Sequence, residues 1–324
     1  MTSPLLKNPV VGATATVRVP GTSANLGPGF DSLGLAVSLY DTLSITVLET
    51  PELEFELSGE GVEFLPRDAS HLVVETLDIA WERLGYGRVG VRVAASNVLP
   101  HGRGLGSSAS AIVAAIMAAN ALVAPADRQD DAWVLQLASE LEGHPDNVAP
   151  AIYGAVAVSW QEGAGFASAK VTPDARVIPV AAIPDVELKT ERARGMLPAT
   201  VPHADAAANS GRSALLMHAL STEPQLLLAG TRDYLHQDYR AEAMPGSAAL
   251  VAHLRAEGHA AFISGAGPTV MTLANGVEEA ELVVRRITEL GTNAAIPAIS
   301  GVSWRVLRLQ VDLEGAKVEV HPSS

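Results

Sequence analysis

The 324-residue sequence contains no cysteine, which excludes disulfide bonds, thiolate metal ligands and cysteine nucleophiles. Basic residues are also few: 22 Lys and Arg stand against 36 Asp and Glu, a formal net charge of −14. A chain with this balance is not expected to bind nucleic acid or an anionic membrane. Any phosphate-bearing ligand must therefore be held locally, by backbone amides, a metal ion or a few arginines.

Targeting and membrane-spanning segments are not expected either. Residues 1–19 lack the basic start, apolar core and small-residue cleavage site of a signal peptide. The uncharged window 104–126 consists mainly of Ala, Ser and Gly and contains Asn120, so it predicts a buried helix rather than a membrane span. Together with the lack of cysteine, this pattern fits a cytoplasmic protein without a membrane partner.

The length favours two domains, and 48% hydrophobic residues are enough for packed interiors. Segments whose apolar residues follow the two-residue period of strands alternate irregularly with segments that follow helical spacing. Because there is no regular βαβ repeat, we predict an α+β fold. The predicted strands are 14–19, 42–48, 53–57, 89–95, 153–160, 177–183, 186–189, 260–264, 268–273, 303–311 and 316–320. The predicted helices are 70–84, 111–123, 130–142, 203–220, 224–236, 245–258 and 276–290. A domain junction is expected in the stretch 161–167.

The most informative segment is 99–110, Leu-Pro-His-Gly-Arg-Gly-Leu-Gly-Ser-Ser-Ala-Ser, which precedes the Ala-rich apolar run. A glycine loop that opens a helix presents unpaired N–H groups and the positive end of the helix dipole, a typical phosphate site. The segment has no Gly-Lys-Ser/Thr, so it is not a Walker loop, and it lacks the Gly-x-Gly-x-x-Gly spacing. A capped helix start without a ligand is the alternative interpretation.

Two further small-residue segments, 20–31 and 264–270, also follow predicted strands, so all three segments can reach a common site. The three in this order resemble the GHMP kinase superfamily. Four stretches are similar to its homoserine kinase family: Val-Arg-Val-Pro-Gly-Thr-Ser-Ala-Asn-Leu-Gly-Pro-Gly-Phe-Asp (17–31), Glu-Gly-His-Pro-Asp-Asn-Val-Ala-Pro (142–150), Thr-Glu-Arg-Ala-Arg-Gly-Met-Leu-Pro (190–198) and Tyr-Arg-Ala-Glu-Ala-Met-Pro-Gly (239–246).

The resemblance implies a two-domain GHMP kinase fold. Its N-terminal domain, residues 1–163, would resemble the second domain of ribosomal protein S5 and bind ATP. Its C-terminal domain, residues 164–324, would be ferredoxin-like and complete the substrate site. The implied activity is phosphorylation of the side-chain hydroxyl of L-homoserine to O-phospho-L-homoserine for threonine biosynthesis, with ATP and Mg²⁺.

The resemblance also implies which residues hold the nucleotide and the metal ion. Ser108 and Glu142 would ligate Mg²⁺, a hard cation for which a few protein oxygens plus phosphates and water suffice. Without the resemblance, Glu142 reads as a solvated residue at a helix end. The residues expected around the ATP phosphates are Pro100, Gly102, Arg103, Gly104, Leu105, Gly106, Ser107, Ser108, Ala109 and Ser110.

Two segments would bind the amino-acid substrate near its reacting end. Asn25 and Asp31 would lie beside its hydroxyl and ammonium groups, although both are also common turn residues. Asp31 is a candidate general base, with direct proton passage to the phosphoryl group as the alternative. His144 would line the pocket, where a solvent-facing loop histidine is the other interpretation. Asn147 would donate to the transferring phosphoryl oxygens.

Two arginines would select the substrate by its carboxylate, which a planar guanidinium binds with several donors. These are Arg194 and Arg240; Arg192 competes for the first role, and surface salt bridges are the alternative for both. A GHMP kinase for mevalonate, shikimate or a sugar, and a non-catalytic binding module of this fold, are the rival functions. The sequence leaves a homodimer open.

Overall fold

The computed structural model describes residues 6–321. The first five residues of the stretch 1–19, in which no signal peptide is predicted, lie outside the described residues. Its strands are β1 (Thr14–Ala24), β2 (Leu33–Val47), β3 (Leu53–Gly59), β4 (Val91–Asn97), β5 (Val156–Glu162), β6 (Gly165–Val171), β7 (Val177–Pro184), β8 (Ala260–Ile263), β9 (Val270–Asn275), β10 (Trp304–Arg308) and β11 (Lys317–His321). Strands of two separate sheets therefore alternate with helices along the chain.

Helices of very different lengths connect these strands. They are α1 (Leu72–Leu84), α2 (Ser107–Ala121), α3 (Asp131–Glu142), α4 (Val148–Tyr153), α5 (Thr190–Gly195), α6 (His203–Ser221), α7 (Leu227–Gly230), α8 (Gln237–Arg240), α9 (Pro245–Ala256), α10 (Val277–Thr292) and α11 (Pro297–Ser300). Within residues 6–321, no helix is both long and apolar enough to cross a membrane.

The first sheet has seven strands, with the path β11-β1-β2-β4-β3 and the pair β5–β6 attached to β2. All its pairs are antiparallel except β3 with β4. The 15-residue β2 pairs with three strands: β1 pairs along most of its length, β5 pairs with its first three residues and β4 pairs with its last six. On β1, Ala15, Val17 and Val19 are fully buried, which matches the alternation that predicts a half-buried strand.

Helix α2 is buried between this sheet and helices α1 and α3. Its alanines let the neighbouring backbones approach closely, and the indole N–H of Trp81 on α1 donates to the Ala119 carbonyl at 3.2 Å. The apolar window 104–126 is therefore mostly a core helix, as its composition predicts.

The second sheet has the order β10-β7-β9-β8, all antiparallel. One face packs on α9 and α10 through Leu250, Leu254, Val283 and Ile287. The other face packs into an apolar cluster that also contains Leu35 of β2 and Leu99, which follows β4. The two sheets thus share an apolar core, and loops at their junction are held rigidly against each other.

The α+β prediction is confirmed, and the differences lie at particular segments. The Gly, Ser, Asn and Pro content of residues 20–31 predicts an ordered loop, but residues 20–24 continue β1, because they pair with β2 beyond a bulge at Pro20 and Gly21. Residues 186–189 are not a strand. The helix predicted over 224–236 reduces to short turns around α7, since the Asp233 carboxylate accepts backbone N–H groups of Leu235, His236 and Gln237.

The predicted division at residues 163 and 164 stays a prediction about domains. The position falls in the turn between β5 and β6, which are neighbours in one sheet. The end of the chain also returns to the first sheet, where β11 pairs with β1. Sheet membership therefore changes after β6 and again before β11.

Candidate active site

The three small-residue segments meet at the junction of the two sheets. The Thr22 N–H donates to the Leu105 carbonyl at 3.0 Å, and the Ser264 hydroxyl donates to the Gly104 carbonyl at 2.6 Å. The Gly265 N–H donates to the Ala24 carbonyl at 3.0 Å. Because these bonds link all three segments directly, they form one rigid floor.

A cavity of about 100 Å³ lies on this floor. It brings together fifteen of the seventeen residues predicted for the site. They are Asn25, Asp31, Pro100, Gly102, Arg103, Gly104, Leu105, Gly106, Ser107, Ser108, Glu142, His144, Asn147, Arg194 and Arg240. The other two, Ala109 and Ser110, are buried in α2 outside this cavity. Phe30, Asp146 and Thr190 also line it, and the motif reading missed them.

Two glycines of the loop are required by both conformation and space. Gly104 and Gly106 have φ of 77° and 71°, in the left-handed region. A Cβ on Gly104 would collide with the Ser264 carbonyl, and one on Gly106 would collide with the Thr22 hydroxyl. Gly106 is also the N-cap of α2 and offers no side chain there, so the first N–H groups of the helix are left for a ligand.

Replacing Gly104 by alanine is expected to weaken nucleotide binding strongly and to destabilise the fold by about 1–3 kcal/mol. The new Cβ must push the loop away from Ser264 and so move the helix N-terminus. Gly85→Ala is the matched control, since its φ of 79° carries the same backbone strain but nothing lies within 4 Å of the added Cβ. Titration calorimetry should show that ADP affinity falls in Gly104→Ala and not in Gly85→Ala. Equal ADP affinities in the two variants would contradict a close approach of the ligand to the backbone at Gly104.

Ser108 and Glu142 form a pair at the base of the loop. The Ser108 hydroxyl donates to Glu142 Oε2 at 2.9 Å, across from the first turn of α2 to the last turn of α3. Burial raises the pKa of Glu142, and the hydrogen bond from Ser108 only partly opposes it. Within residues 6–321 no three His, Asp or Glu side chains form a metal cluster. A hydroxyl and a carboxylate fit a cation that takes most of its ligands from phosphate and water.

Three polar residues follow Glu142 on the turn before α4. His144 Nδ1 lies 2.6 Å from Asp146 Oδ1. Burial lowers the pKa of His144, but the Asp146 hydrogen bond and the charges of Asp146 and Glu142 outweigh it, so the pKa is raised overall. Asn147 accepts from the Thr22 hydroxyl at 2.8 Å through Oδ1, while its Nδ2 has only a 3.5 Å contact to Asp146. The Asn147 amide therefore keeps donor capacity for a ligand.

Asp31 and Arg194, which also line the cavity, form a bidentate ion pair. Arg194 Nη1 and Nη2 donate to the two Asp31 oxygens at 3.0 and 2.7 Å. Asp31 has a φ of 55°, and its N–H donates to Asn25 Oδ1 at 3.0 Å. Asn25, in turn, donates to the Gly265 carbonyl at 2.9 Å, so the turn is fixed to the segment 264–270. Arg192 does not line the cavity.

Arg240 lies near enough to this pair to feel both charges and is only 2% exposed. Its Nε donates to the Ala193 carbonyl at 3.2 Å, and its Nη1 donates to His236 Nδ1 at 3.2 Å. The fully buried His236 donates from Nε2 to the Gly27 carbonyl at 2.8 Å, and its ring is neutral because its Nδ1 accepts from Arg240. Burial lowers the pKa of Arg240, and the charge of Arg194 lowers it further. Among the described residues Arg240 makes no hydrogen bond to a carboxylate, so its charge suits an anionic ligand group.

Protonation of His236 is expected to oppose folding. Burial lowers the pKa of His236 below its ordinary value of 6.5, with Arg240 adding to the effect. The unfolded chain then takes up a proton that the folded chain excludes, so stability is complete above pH 6.5 and falls as the pH drops below it. Urea titrations from pH 7 to 5 should show a smaller fall in the free energy of unfolding for His236→Gln than for the parent. The two slopes should differ by up to about 1.4 kcal/mol per pH unit. Parallel curves for parent and variant would contradict the neutral ring.

A second, mainly apolar cavity of about 310 Å³ adjoins the first and shares Gly102, Ser107 and Ser108 with it. Leu43, Leu65 and Ala95 belong to its lining. Three polar atoms of lining side chains are buried without a hydrogen-bond partner among the described residues: His71 Nε2, His101 Nε2 and Ser110 Oγ. No sequence motif indicates this cavity, because its walls come from β2, β4, α1, α2 and the loops beside them.

The comparisons with known proteins agree with this architecture. A family model described as "GHMP kinases N terminal domain" matches residues 71–155, and one described as "GHMP kinases C terminal" matches residues 212–293. Together they cover just over half of the chain. The fold and the loop thus define a GHMP kinase.

Individual relatives narrow this class. The chain is 48% identical to homoserine kinase of Streptomyces coelicolor over 307 residues, which is 94% of each chain. It is 48% identical to that of Streptomyces avermitilis over 307 residues, 94% of this chain and 96% of the relative. The crystal structure of homoserine kinase from Cytophaga hutchinsonii superposes with a TM-score of 0.81, at 25% identity, and covers 98% of this chain and 100% of the other. The chain belongs to the homoserine kinase family.

Proposed function

We propose that this protein transfers the γ-phosphoryl group of ATP to the side-chain hydroxyl of L-homoserine, which yields ADP and O-phospho-L-homoserine for threonine biosynthesis. The observation that carries the proposal is one cavity that contains both the glycine loop at the start of α2 and the Asp31–Arg194–Arg240 group. The first part suits a phosphate chain and the second suits an amino acid, so the two reactants would meet between them.

The nucleotide would lie across the two adjoining cavities. Its phosphates suit the loop, where Gly104 and Gly106 allow close backbone approach and the N-terminus of α2 supplies N–H donors. Its base suits the 310 Å³ cavity, whose walls are apolar and contain a few unpaired polar atoms. Because the His71 Nδ1 accepts the Val73 N–H, its Nε2 carries the proton and can donate to a ring nitrogen.

Ser108 and Glu142 would hold Mg²⁺ beside the phosphates. When bound, the ion neutralises part of the charge on the nucleotide and on the transferring group. The pair's own contribution is a carboxylate whose pKa is raised by burial, although the Ser108 hydrogen bond and the charges of His144 and Arg194 oppose the rise. A divalent ion beside this carboxylate would favour its ionised form.

The substrate's two charges match the Asp31–Arg194 pair. A free α-amino acid carries an ammonium and a carboxylate on one carbon. Its ammonium can replace Arg194 beside Asp31, and its carboxylate can bind Arg194 and the buried Arg240 in place of Asp31. Splitting the bidentate pair therefore exchanges one set of charge-assisted hydrogen bonds for another. An alcohol without this zwitterion would break the pair without compensation.

The departing hydroxyl proton has two routes. Both Asp31 oxygens accept from Arg194 here, so Asp31 can serve as a base only after the substrate separates the pair. Direct passage to the phosphoryl oxygen needs no base, and the loose transition state of phosphoryl transfer depends mainly on alignment. In either route Asn147 would donate its free amide N–H to a transferring oxygen, held in place by Thr22.

The test is ADP release with a panel of L-homoserine, mevalonate, shikimate and galactose. Turnover with homoserine alone would support the proposal. Turnover with another alcohol but not with homoserine would favour a different GHMP kinase. ATP binding without turnover of any of the four would favour a non-catalytic module of the same fold. A cytoplasmic location and a homodimer stay predictions.

A further inference from the structure

A larger cavity lies outside the candidate active site. It measures about 850 Å³ and is formed by α6, α7, α9 and the segment 231–241. Three arginines line it: Arg212 on α6, Arg232 after α7 and Arg255 on α9. A volume of this size accommodates a small organic molecule. None of the motifs that indicate the kinase activity contributes these arginines.

The charge of these arginines is not neutralised by the protein. Within residues 6–321, none of the three has a carboxylate oxygen within 4.0 Å. Burial, together with the charges of Arg232 and Arg212, lowers the pKa of Arg255 to about 10. The nearby Asp233 carboxylate is nearly inaccessible and already accepts three backbone N–H groups. Asp238, on the exposed rim, is the other acidic residue of the wall.

Arg255 is held in position by neutral groups. Its Nη1 donates to the Thr231 hydroxyl at 2.9 Å and to the Ala261 carbonyl at 3.0 Å, and its Nη2 donates to the Leu228 carbonyl at 2.7 Å. These bonds use three of the five guanidinium N–H groups, which leaves two without a partner in the described chain. A fixed cation with spare donors is suited to a planar oxyanion.

We propose that this cavity binds a small organic oxyanion, with a phosphate or carboxylate group on the three arginines, and that its occupancy alters the amino-acid site. Leu228, Met244 and Val251 on the wall would contact the carbon part of the ligand. Phosphate and carboxylate share the chemistry that guanidinium groups recognise, so the experiment separates these two sources.

The two sites share one segment of backbone. Thr231, which holds Arg255, also packs its carbonyl against Gly27, at a place where a Cβ on Gly27 would collide with it. Nine residues further, Arg240 lines the active site and bonds to His236, which donates to the same Gly27. A ligand that moves Arg255 or Arg232 therefore acts on the segment that positions Arg240.

Hydrogen–deuterium exchange of the full chain tests binding without relying on activity. Inorganic phosphate and succinate are added separately, with potassium chloride used to keep ionic strength constant. Peptides spanning 225–241 and 248–256 should exchange more slowly with at least one anion, and the anion that protects identifies the group recognised. Peptides spanning 99–110 report separately on phosphate at the glycine loop. No protection of 225–241 by either anion would overturn the site.

The double variant Arg212→Gln/Arg232→Gln should weaken binding of the protecting anion about tenfold or more, while the hydrogen bonds that hold Arg255 stay in place. Arg285→Gln/Arg308→Gln is the control, because both side chains are exposed and neither lines the cavity. Equal losses of anion affinity in the two variants would show a general effect of charge and overturn the proposal.

The anion should also change KM for homoserine about fivefold or more in the parent and not in the cavity variant. Protection with an unchanged KM would overturn the coupling.

Discussion

Replacing Arg240 by alanine is expected to lower kcat/KM for L-homoserine by about 30- to 5000-fold, which corresponds to about 2–5 kcal/mol. The physical reason is the desolvated position of this cation, since the 2% exposed guanidinium would bind the substrate carboxylate where water cannot replace it. ADP affinity should stay nearly constant, because Arg240 makes no bond to the loop 99–106. Steady-state kinetics and calorimetry with ADP measure the two effects.

A substrate that lacks the carboxylate provides the control for this variant. 3-Aminopropan-1-ol keeps the hydroxyl and ammonium groups of homoserine, so the parent enzyme should use it far less well. In Arg240→Ala the kcat/KM values for homoserine and 3-aminopropan-1-ol should differ much less than in the parent, because the side chain that would bind the carboxylate is gone. If the variant still prefers homoserine by the same factor as the parent, Arg240 supports the structure and does not bind the carboxylate. An Arg240→Lys variant should recover part of the preference through its charge alone.

The sequence could predict the site's loops because each carries its function in local residue types. Gly104 and Gly106 leave no space for a Cβ, so the Gly-rich pattern before an apolar helix correctly indicates a close backbone approach, whereas the phosphate site there stays a prediction. The resemblance added Asp31 and Arg194, whose bidentate contact spans 163 positions. Spacing alone cannot predict such a contact, because it depends on how the two sheets pack.

Other features had no local signal. The walls of the 310 Å³ cavity come from β2, β4, α1, α2 and the loops beside them, and its apolar and polar lining residues form no common sequence motif. His236 lies in a stretch that its composition predicts as helical, and only the Asp233 carboxylate, by accepting three backbone N–H groups, turns the chain there. Residues 20–24 look like a loop because of their Gly and Ser content, yet pairing with β2 keeps them extended. In each case tertiary contacts override local propensity.

Glu142→Gln is expected to lower kcat/KM by about a hundredfold or more and to raise the Mg²⁺ concentration needed for turnover. The amide keeps the size of the side chain and a hydrogen bond to Ser108, but it removes the only negative charge of the proposed ligand pair. Ser108→Ala should shift the Mg²⁺ dependence in the same direction, and the double variant should lose little more, since both residues would act on one ion. Turnover measured across a Mg²⁺ series tests all three.

Stability should move in the opposite direction to activity in this variant. Burial raises the pKa of Glu142, which means that the ionised carboxylate is disfavoured in the folded, metal-free chain. A neutral amide relieves that cost, so Glu142→Gln without Mg²⁺ should unfold at the same temperature as the parent or higher. Glu140→Gln, two residues earlier on α3, removes an exposed charge paired with Arg83 at 3.2 Å and should change neither property appreciably. A Glu142→Gln protein that is less stable but has the parent's Mg²⁺ requirement would identify Glu142 as a structural residue.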